Sequence, residues 1–139
     1  YMWRDLERLA AKEGLPFQRP SRFPRNGLLA ARVALVGVED GWVAPFARAV
    51  MTANFAEDRE IAEPAVIEDL LATLALPVEE VMARAQLDAN KLALRAQTER
   101  AAELGLFGAP SFRVGDELFW GNDRLADALH WATQPAGSA

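Results

Sequence analysis

Cysteine is absent from the 139 residues of the chain, and histidine occurs only once. The absence of cysteine excludes a disulfide scaffold, a thiolate metal site and a redox-active Cys-x-x-Cys pair within these residues. The carboxylates that remain as metal ligands show no recognisable ligand spacing, so we predict no metal site. A chain without cysteine suits the reducing cytoplasm, which is the predicted location.

Long apolar runs and basic clusters are missing as well. No run approaches the roughly 20 apolar residues needed to cross a bilayer, and no signal-peptide pattern opens the chain, so we expect no membrane partner. The formal charge is −5, and the 15 Lys and Arg residues are scattered. Nucleic acid is not an expected partner, because binding it requires a basic face that neutralises phosphates.

Apolar residues at helical spacing dominate the first 105 residues. The helix at the N-terminus begins without an N-cap and ends at Gly14, so we expect that upstream residues are missing. A proline-rich loop follows, over residues 15–26. The further predicted helices cover residues 27–36, which Gly37 would end, and residues 43–51, 63–74, 78–85 and 87–104.

The pattern changes to period two after residue 105. Strands are predicted at 111–114 and 117–120 around a Gly115-Asp116 turn, with Asn122 as the N-cap of a last helix. Because an isolated hairpin is marginally stable, we expect an upstream βαβ unit to complete the sheet. The prediction is one domain: a mainly helical insertion over 1–105, the hairpin and helix over 106–132, and a tail over 133–139.

Two short motifs carry candidate chemistry. A cis bond before Pro110 would turn the chain ahead of the first strand and leave the Ala109 backbone exposed to a ligand, although a proline at this place is also common in an ordinary turn. Asn122 and Asp123 stand at a helix start, where free amides favour a carboxylate, although both residue types also serve as plain helix caps. We expect Phe107, Phe119 and Trp120 to fill the core.

Residues 114–125, Val-Gly-Asp-Glu-Leu-Phe-Trp-Gly-Asn-Asp-Arg-Leu, closely resemble the C-terminal signature of the 2-hydroxychromene-2-carboxylate isomerase family. Phe-Gly-Ala-Pro-Ser at 107–111, Arg-Phe-Pro-Arg-Asn at 22–26 and Tyr-Met-Trp-Arg-Asp-Leu at 1–6 agree with it, so the resemblance spans nearly the whole chain. It implies an α/β, thioredoxin-like fold of the DsbA-like type shared with kappa-class glutathione transferases. In that fold a large helical insertion is present, and the N-terminal β-α portion is absent from this chain.

The function implied by the resemblance is a glutathione-dependent isomerase. Such an enzyme interconverts 2-hydroxychromene-2-carboxylate and trans-o-hydroxybenzylidenepyruvate in the catabolism of aromatic compounds such as naphthalene. The expected partner is thus a small aromatic carboxylate, and the resemblance also allows a homodimer.

The resemblance also implies a role for particular residues. The glutathione-binding residues would be Ala109, Pro110 in the cis form, Asn122 and Asp123, and the substrate-binding residues would be Arg22, Phe23 and Asn26. The serine that would hydrogen-bond the glutathione sulfur is expected upstream, so no catalytic residue is predicted within these residues. We therefore expect the chain alone to be inactive and to bind glutathione poorly.

Three alternatives share the fold but differ in chemistry, because a fold and a thiol site do not fix the reaction. The first is a kappa-like glutathione transferase that acts on another electrophile. The second is a DsbA-like thiol-disulfide oxidoreductase, which would require Cys-x-x-Cys outside the residues shown. The third is a non-catalytic module that binds glutathione without turnover.

Overall fold

The computed structural model describes residues 1–135 of the chain. The chain divides into two compact units, residues 1–95 and 96–139, and each is described by itself. The predicted single domain, with divisions after residues 105 and 132, stays a prediction. Of the predicted tail, residues 136–139 lie outside the described residues.

Unit 1 is built from helices. They are α1 (Met2–Lys12), α2 (Leu28–Asp40), α3 (Val43–Phe55), α4 (Pro64–Thr73), α5 (Val78–Ala85) and the first half of α6 (Asp88–Glu103). The helices predicted from apolar spacing are all confirmed; α2, α3, α4 and α5 each bury apolar residues, whereas α1 and α6 contain no fully buried residue. Pro64 occupies the first turn of α4, where its missing N–H removes no hydrogen bond.

The core of unit 1 lies where α2, α3, α4 and α5 meet. Its largest fully buried side chains are Phe46, Ile67 and Leu71, and burial of each contributes roughly 1.5–3 kcal/mol relative to exposure in water. The remaining members are Ala30, Val33, Val36, Val50, Ala53, Ile61, Leu70, Val81 and Ala85.

The C-terminal end of α2 differs from the prediction. The helix does not end at Gly37; it continues to Asp40, and Gly41 ends it in the left-handed conformation with φ +87°. Gly37 is buried inside the helix, where a Cβ atom would lie 2.7 Å from Cε3 of Trp42. Gly37 therefore allows the close approach of an indole ring.

Unit 2 contains the predicted β-hairpin. Strands β1 (Ser111–Val114) and β2 (Glu117–Trp120) are antiparallel, and the register pairs Ser111 with Trp120 at the open end. Gly115 in the turn has φ +59°, a conformation that glycine adopts without steric cost. The last helix, α7 (Leu125–Ala132), packs on the hairpin and buries Ala128.

The start of the last helix was predicted wrongly. Residues Asn122–Arg124 form a short 3₁₀ helix before α7, and neither helix start has a side-chain capping bond. Gly121, with φ +108°, leads the chain into this tight turn, and its carbonyl accepts the Arg124 N–H at 3.0 Å. A backbone bond thus closes the turn, and the Asn122 side chain does not cap it.

Within residues 1–135, no helix has both the length and the apolar character required for a membrane span.

We predict that Gly37→Ala destabilises the protein by up to about 2 kcal/mol. Overpacking in a core costs roughly 1–3 kcal/mol, and alanine regains about 1 kcal/mol through its higher helix propensity. The Trp42 ring packs edge-on against Phe46 at 5.7 Å, so it has little room to retreat. Denaturant unfolding measures the change. The control is the same substitution in a Trp42→Leu background, which removes the ring atoms that the added Cβ atom would meet. An equal loss of stability in both backgrounds would contradict this account of Gly37.

Candidate functional site

A single backbone hydrogen bond assembles the two predicted glutathione motifs in unit 2. The Ala109–Pro110 peptide bond is cis, as the resemblance implies, and it directly precedes β1. The Pro110 carbonyl accepts the Gly121 N–H at 2.9 Å. Asn122 and Asp123 come next in the chain, so the structure brings all four predicted residues to one end of the hairpin.

Gly121 is required for the geometry of this turn. A Cβ atom at this position would lie 2.5 Å from Oδ1 of Asp123, and the φ of +108° already disfavours any other residue. The Asp123 carboxylate therefore turns back over a residue without a side chain. Asp123 and Asn122 are both exposed to solvent.

Several backbone groups of these motifs are free to bind a ligand. Within the described chain, the N–H groups of Asn122 and Asp123 have no hydrogen-bond acceptor, and neither the N–H nor the carbonyl of Ala109 has a partner. Ala109 is exposed, and so is Pro110. Exposed amides at a turn bind carboxylates well, because they already point outward and need no reorganisation.

Two aromatic residues that were predicted to be core lie on the surface beside this turn. Phe107 is 71% exposed and Trp120 is 54% exposed, and their ring centroids lie 5.3 Å apart. The Trp120 ring covers Gly108, where a Cβ atom would clash with the indole nitrogen. The prediction fails because Trp120 stands at the end of β2, where its ring crosses the loop before β1 and misses the core. Phe119 is half-buried against Trp131.

A surface cavity of about 410 Å³ lies in unit 2, between β2 and α7. Trp120, Arg124 and Trp131 are among its lining residues, but none of the four predicted glutathione residues is. The candidate glutathione site is therefore an open turn with exposed backbone groups.

In unit 1 the three predicted substrate residues lie in the loop before α2. Arg22 is largely exposed, and its only ion pair in the part of the chain described is to Glu60 at 3.6 Å. Phe23 is 51% exposed and packs edge-on against Trp3 with centroids 4.9 Å apart. The Oδ1 atom of Asn26 accepts the Leu28 N–H at 2.9 Å, so this side chain stabilises the start of α2.

Arg25, which sequence reasoning did not select, is the anchor of this loop. Its side chain is 3% exposed, and its guanidinium donates to Oδ1 of Asp58 at 2.6 Å and to Oδ1 of Asn54 at 2.9 Å. Glu60 Oε2 lies 3.5 Å from its Nε and forms an ion pair without a hydrogen bond. Arg22 and Arg25 look alike in an aperiodic loop, so no sequence signal separated them.

Asp58 receives hydrogen bonds from two places in the loop. Besides Arg25, the backbone N–H and the hydroxyl of Ser21 donate to Oδ1 at 2.9 Å and 3.0 Å. The bond from Arg25 is the main reason that the pKa of Asp58 falls from 3.8 to about 2, and the bonds from Ser21 lower it further. The Asp58 backbone adopts φ +52°, which is uncommon for a residue with a side chain.

Each predicted set of site residues thus lies within one unit: Ala109, Pro110, Asn122 and Asp123 in unit 2, and Arg22, Phe23 and Asn26 in unit 1. Their roles in ligand binding stay predictions. No group of three or more His, Asp or Glu residues suited to a metal ion occurs within residues 1–135.

Residues 1–130 match the family model described as DSBA-like thioredoxin domain, so the chain belongs to that family. The 2-hydroxychromene-2-carboxylate isomerase of Sphingobium xenophagum is 30% identical to it over 128 residues, which are 89% of this chain and 63% of that protein. A solved structure of a 2-hydroxychromene-2-carboxylate isomerase matches with a TM-score of 0.75 and 25% identity, covering 94% of this chain and 64% of the solved chain.

These matches confirm the family resemblance and the thioredoxin-like fold with its helical insertion. The chain spans less than two thirds of the length of both relatives.

We predict that Asp58→Asn makes the free energy of unfolding depend less on pH under acidic conditions. Because the folded pKa of Asp58 is depressed, its contribution to stability is full above about pH 4 and is lost as the pH falls towards 2. The variant should therefore be less stable than the wild type at pH 7, and the difference should shrink between pH 4 and pH 2. Urea unfolding at several pH values measures this. Asp116→Asn, at a fully exposed side chain, should follow the wild-type curve; a constant difference for Asp58→Asn would contradict the linkage.

Proposed function

We propose that this protein is a glutathione-dependent isomerase that interconverts 2-hydroxychromene-2-carboxylate and trans-o-hydroxybenzylidenepyruvate. The observation that carries the proposal is the bond from the Gly121 N–H to the Pro110 carbonyl, which places the exposed Ala109 backbone beside the free amides of Asn122 and Asp123. Two relatives with similar sequence or fold bear the name of this isomerase, which supports the same choice of reaction.

The residues of the turn fit the γ-glutamyl end of glutathione, which carries a carboxylate and an ammonium group. The amides of Asn122 and Asp123 would bind the carboxylate, and the exposed Asp123 carboxylate would pair with the ammonium. The N–H and carbonyl of Ala109 would hydrogen-bond the cysteinyl backbone, as a neighbouring strand does. Both charges of the zwitterion are thus matched within one turn.

When bound, glutathione supplies a thiol as the nucleophile. The task of this chain is to orient it. The Trp120 ring covers Gly108, the residue before Ala109, and packs against the Phe107 ring, which restricts the backbone that would hold glutathione. Placing a reacting group in this way lowers the entropic part of the barrier.

The substrate carboxylate would be bound by Arg22. Its ion pair with Glu60, at 3.6 Å and largely exposed, is a weak interaction that an incoming carboxylate can replace. A guanidinium can bind a carboxylate through two parallel hydrogen bonds, which fixes orientation as well as position. The half-exposed Phe23 ring would pack against the aromatic ring of the substrate.

A spectrophotometric assay tests the reaction. The natural protein, with any residues that precede Tyr1, is mixed with 2-hydroxychromene-2-carboxylate, and the absorbance change is followed with and without glutathione. We expect conversion that depends on glutathione. Equal conversion without glutathione, or glutathione binding without conversion, would contradict the proposal.

We predict that Asp123→Asn weakens glutathione binding at least about tenfold. Hydrogen bonds to charged groups contribute about 1.5–3 kcal/mol, and 1.4 kcal/mol corresponds to a factor of ten in affinity. Isothermal titration calorimetry gives the Kd. The matched control is Asp127→Asn on α7, where the carboxylate pairs with Arg124 at 3.1 Å outside the proposed site, and it should stay within twofold. Unchanged affinity in Asp123→Asn would rule out this carboxylate as the partner of the ammonium.

A further inference from the structure

Arg25 is the most buried charged side chain among the ion pairs of the described residues. A charge removed from water is costly unless ionic and hydrogen-bonding partners compensate it. Asp58 and Asn54 provide that compensation. Asn54 is 6% exposed and lies in the last turn of α3. The Arg25 guanidinium is therefore held in one place by a rigid element.

The segment Ser21–Arg25 is tied down at both ends by one atom. Oδ1 of Asp58 accepts the Ser21 N–H and hydroxyl at one end and the Arg25 guanidinium at the other. Arg22 and Phe23 lie between these two anchored residues. The hydrogen bonds of Ser21 and Arg25 to Asp58 therefore restrict the backbone of residues 22–24.

The side chains between the anchors have few restraints of their own. Arg22 is 78% exposed and has a weak ion pair, and Phe23 has ring contacts to Trp3 and Phe55 with half of its surface open. The loop thus combines a fixed base with exposed side chains at its tip.

We propose that Arg25 is a positioning residue: its bonds to Asp58 and Asn54 fix the Ser21–Arg25 segment so that Arg22 and Phe23 face an aromatic carboxylate in the correct geometry. This inference rests on the proposed function. A displacement of about 1 Å in a substrate-positioning group can lower activity by about a factor of 100. Lysine cannot replace Arg25, because its single ammonium lacks the planar fork that bonds two acceptors at once.

The first test is Arg25→Lys in the natural protein. We expect the KM for 2-hydroxychromene-2-carboxylate to rise about tenfold or more, with the Kd for glutathione unchanged within twofold. A purely structural role would lower the amount of folded protein, and with it the apparent kcat, while KM and the Kd for glutathione would stay unchanged. The matched control is Arg59→Lys, whose ion pair with Asp69 has the same length of 2.6 Å but lies outside the loop. Its KM should stay within twofold of the wild type.

The second test measures the loop directly by amide hydrogen exchange. In Arg25→Lys and in Asp58→Asn, the Ser21 amide, whose N–H donates to Oδ1 of Asp58 at 2.9 Å, should exchange at least about tenfold faster, while Arg59→Lys leaves its rate unchanged. Asp58→Asn keeps the shape of the side chain, so it serves if Arg25→Lys does not fold. A KM within twofold of the wild type in Arg25→Lys, or faster exchange spread evenly over unit 1, would overturn the inference.

The two proposals fail in different ways. If the wild type shows no glutathione-dependent isomerisation, the proposed function is wrong, and exchange at the Ser21 amide still decides whether Arg25 fixes the loop. If the wild type is active but Arg25→Lys keeps its KM and its exchange rates, only the positioning role is wrong.

Discussion

The burial of the Arg25 guanidinium is the constraint on which the arrangement of unit 1 around its loop depends. Loss of one partner of an ion pair that contains a buried charge destabilises the fold, because the remaining charge is left uncompensated. The loop before α2, the end of α3 and the turn at Asp58 must therefore keep their positions together. The contact of Phe23 with Phe55 follows from this, because the loop crosses the end of α3 where Arg25 is bonded.

In unit 2, two chain segments are also held together, but by a hydrogen bond between uncharged backbone groups. The hydrogen bond between Gly121 and Pro110 joins the two chain segments at the open end of the hairpin, and the β1–β2 register holds them side by side. Gly121 is needed both for its positive φ and for the space that the Asp123 carboxylate occupies. Because the turn is closed by backbone atoms, the side chain of Asp123 and the amides beside it remain available to a ligand.

The helices and the hairpin could be predicted because their apolar residues recur at helical spacing or alternate along a strand. Features decided by tertiary contacts could not be predicted in this way. Gly37 and Gly41 are both plausible helix ends, and only the position of the Trp42 ring shows which one is needed for packing. Arg25 differs from Arg22 through its bonds to Asn54 and Asp58, which lie 29 and 33 residues further along the chain.

Both candidate sites place an anchoring residue next to an exposed residue that we propose to contact a ligand. Arg25 is buried while Arg22 nearby is exposed, and Gly121 fixes the backbone while Asp123 presents a carboxylate. An exposed contact residue makes few bonds within the protein, so its replacement alters ligand affinity with little change in stability. An anchoring residue couples stability to ligand geometry, because the bonds that hold the fold also set where its neighbour points. Under the proposed function, pairing the two kinds of residue would let an exposed loop position a ligand accurately, because the backbone is already ordered before binding.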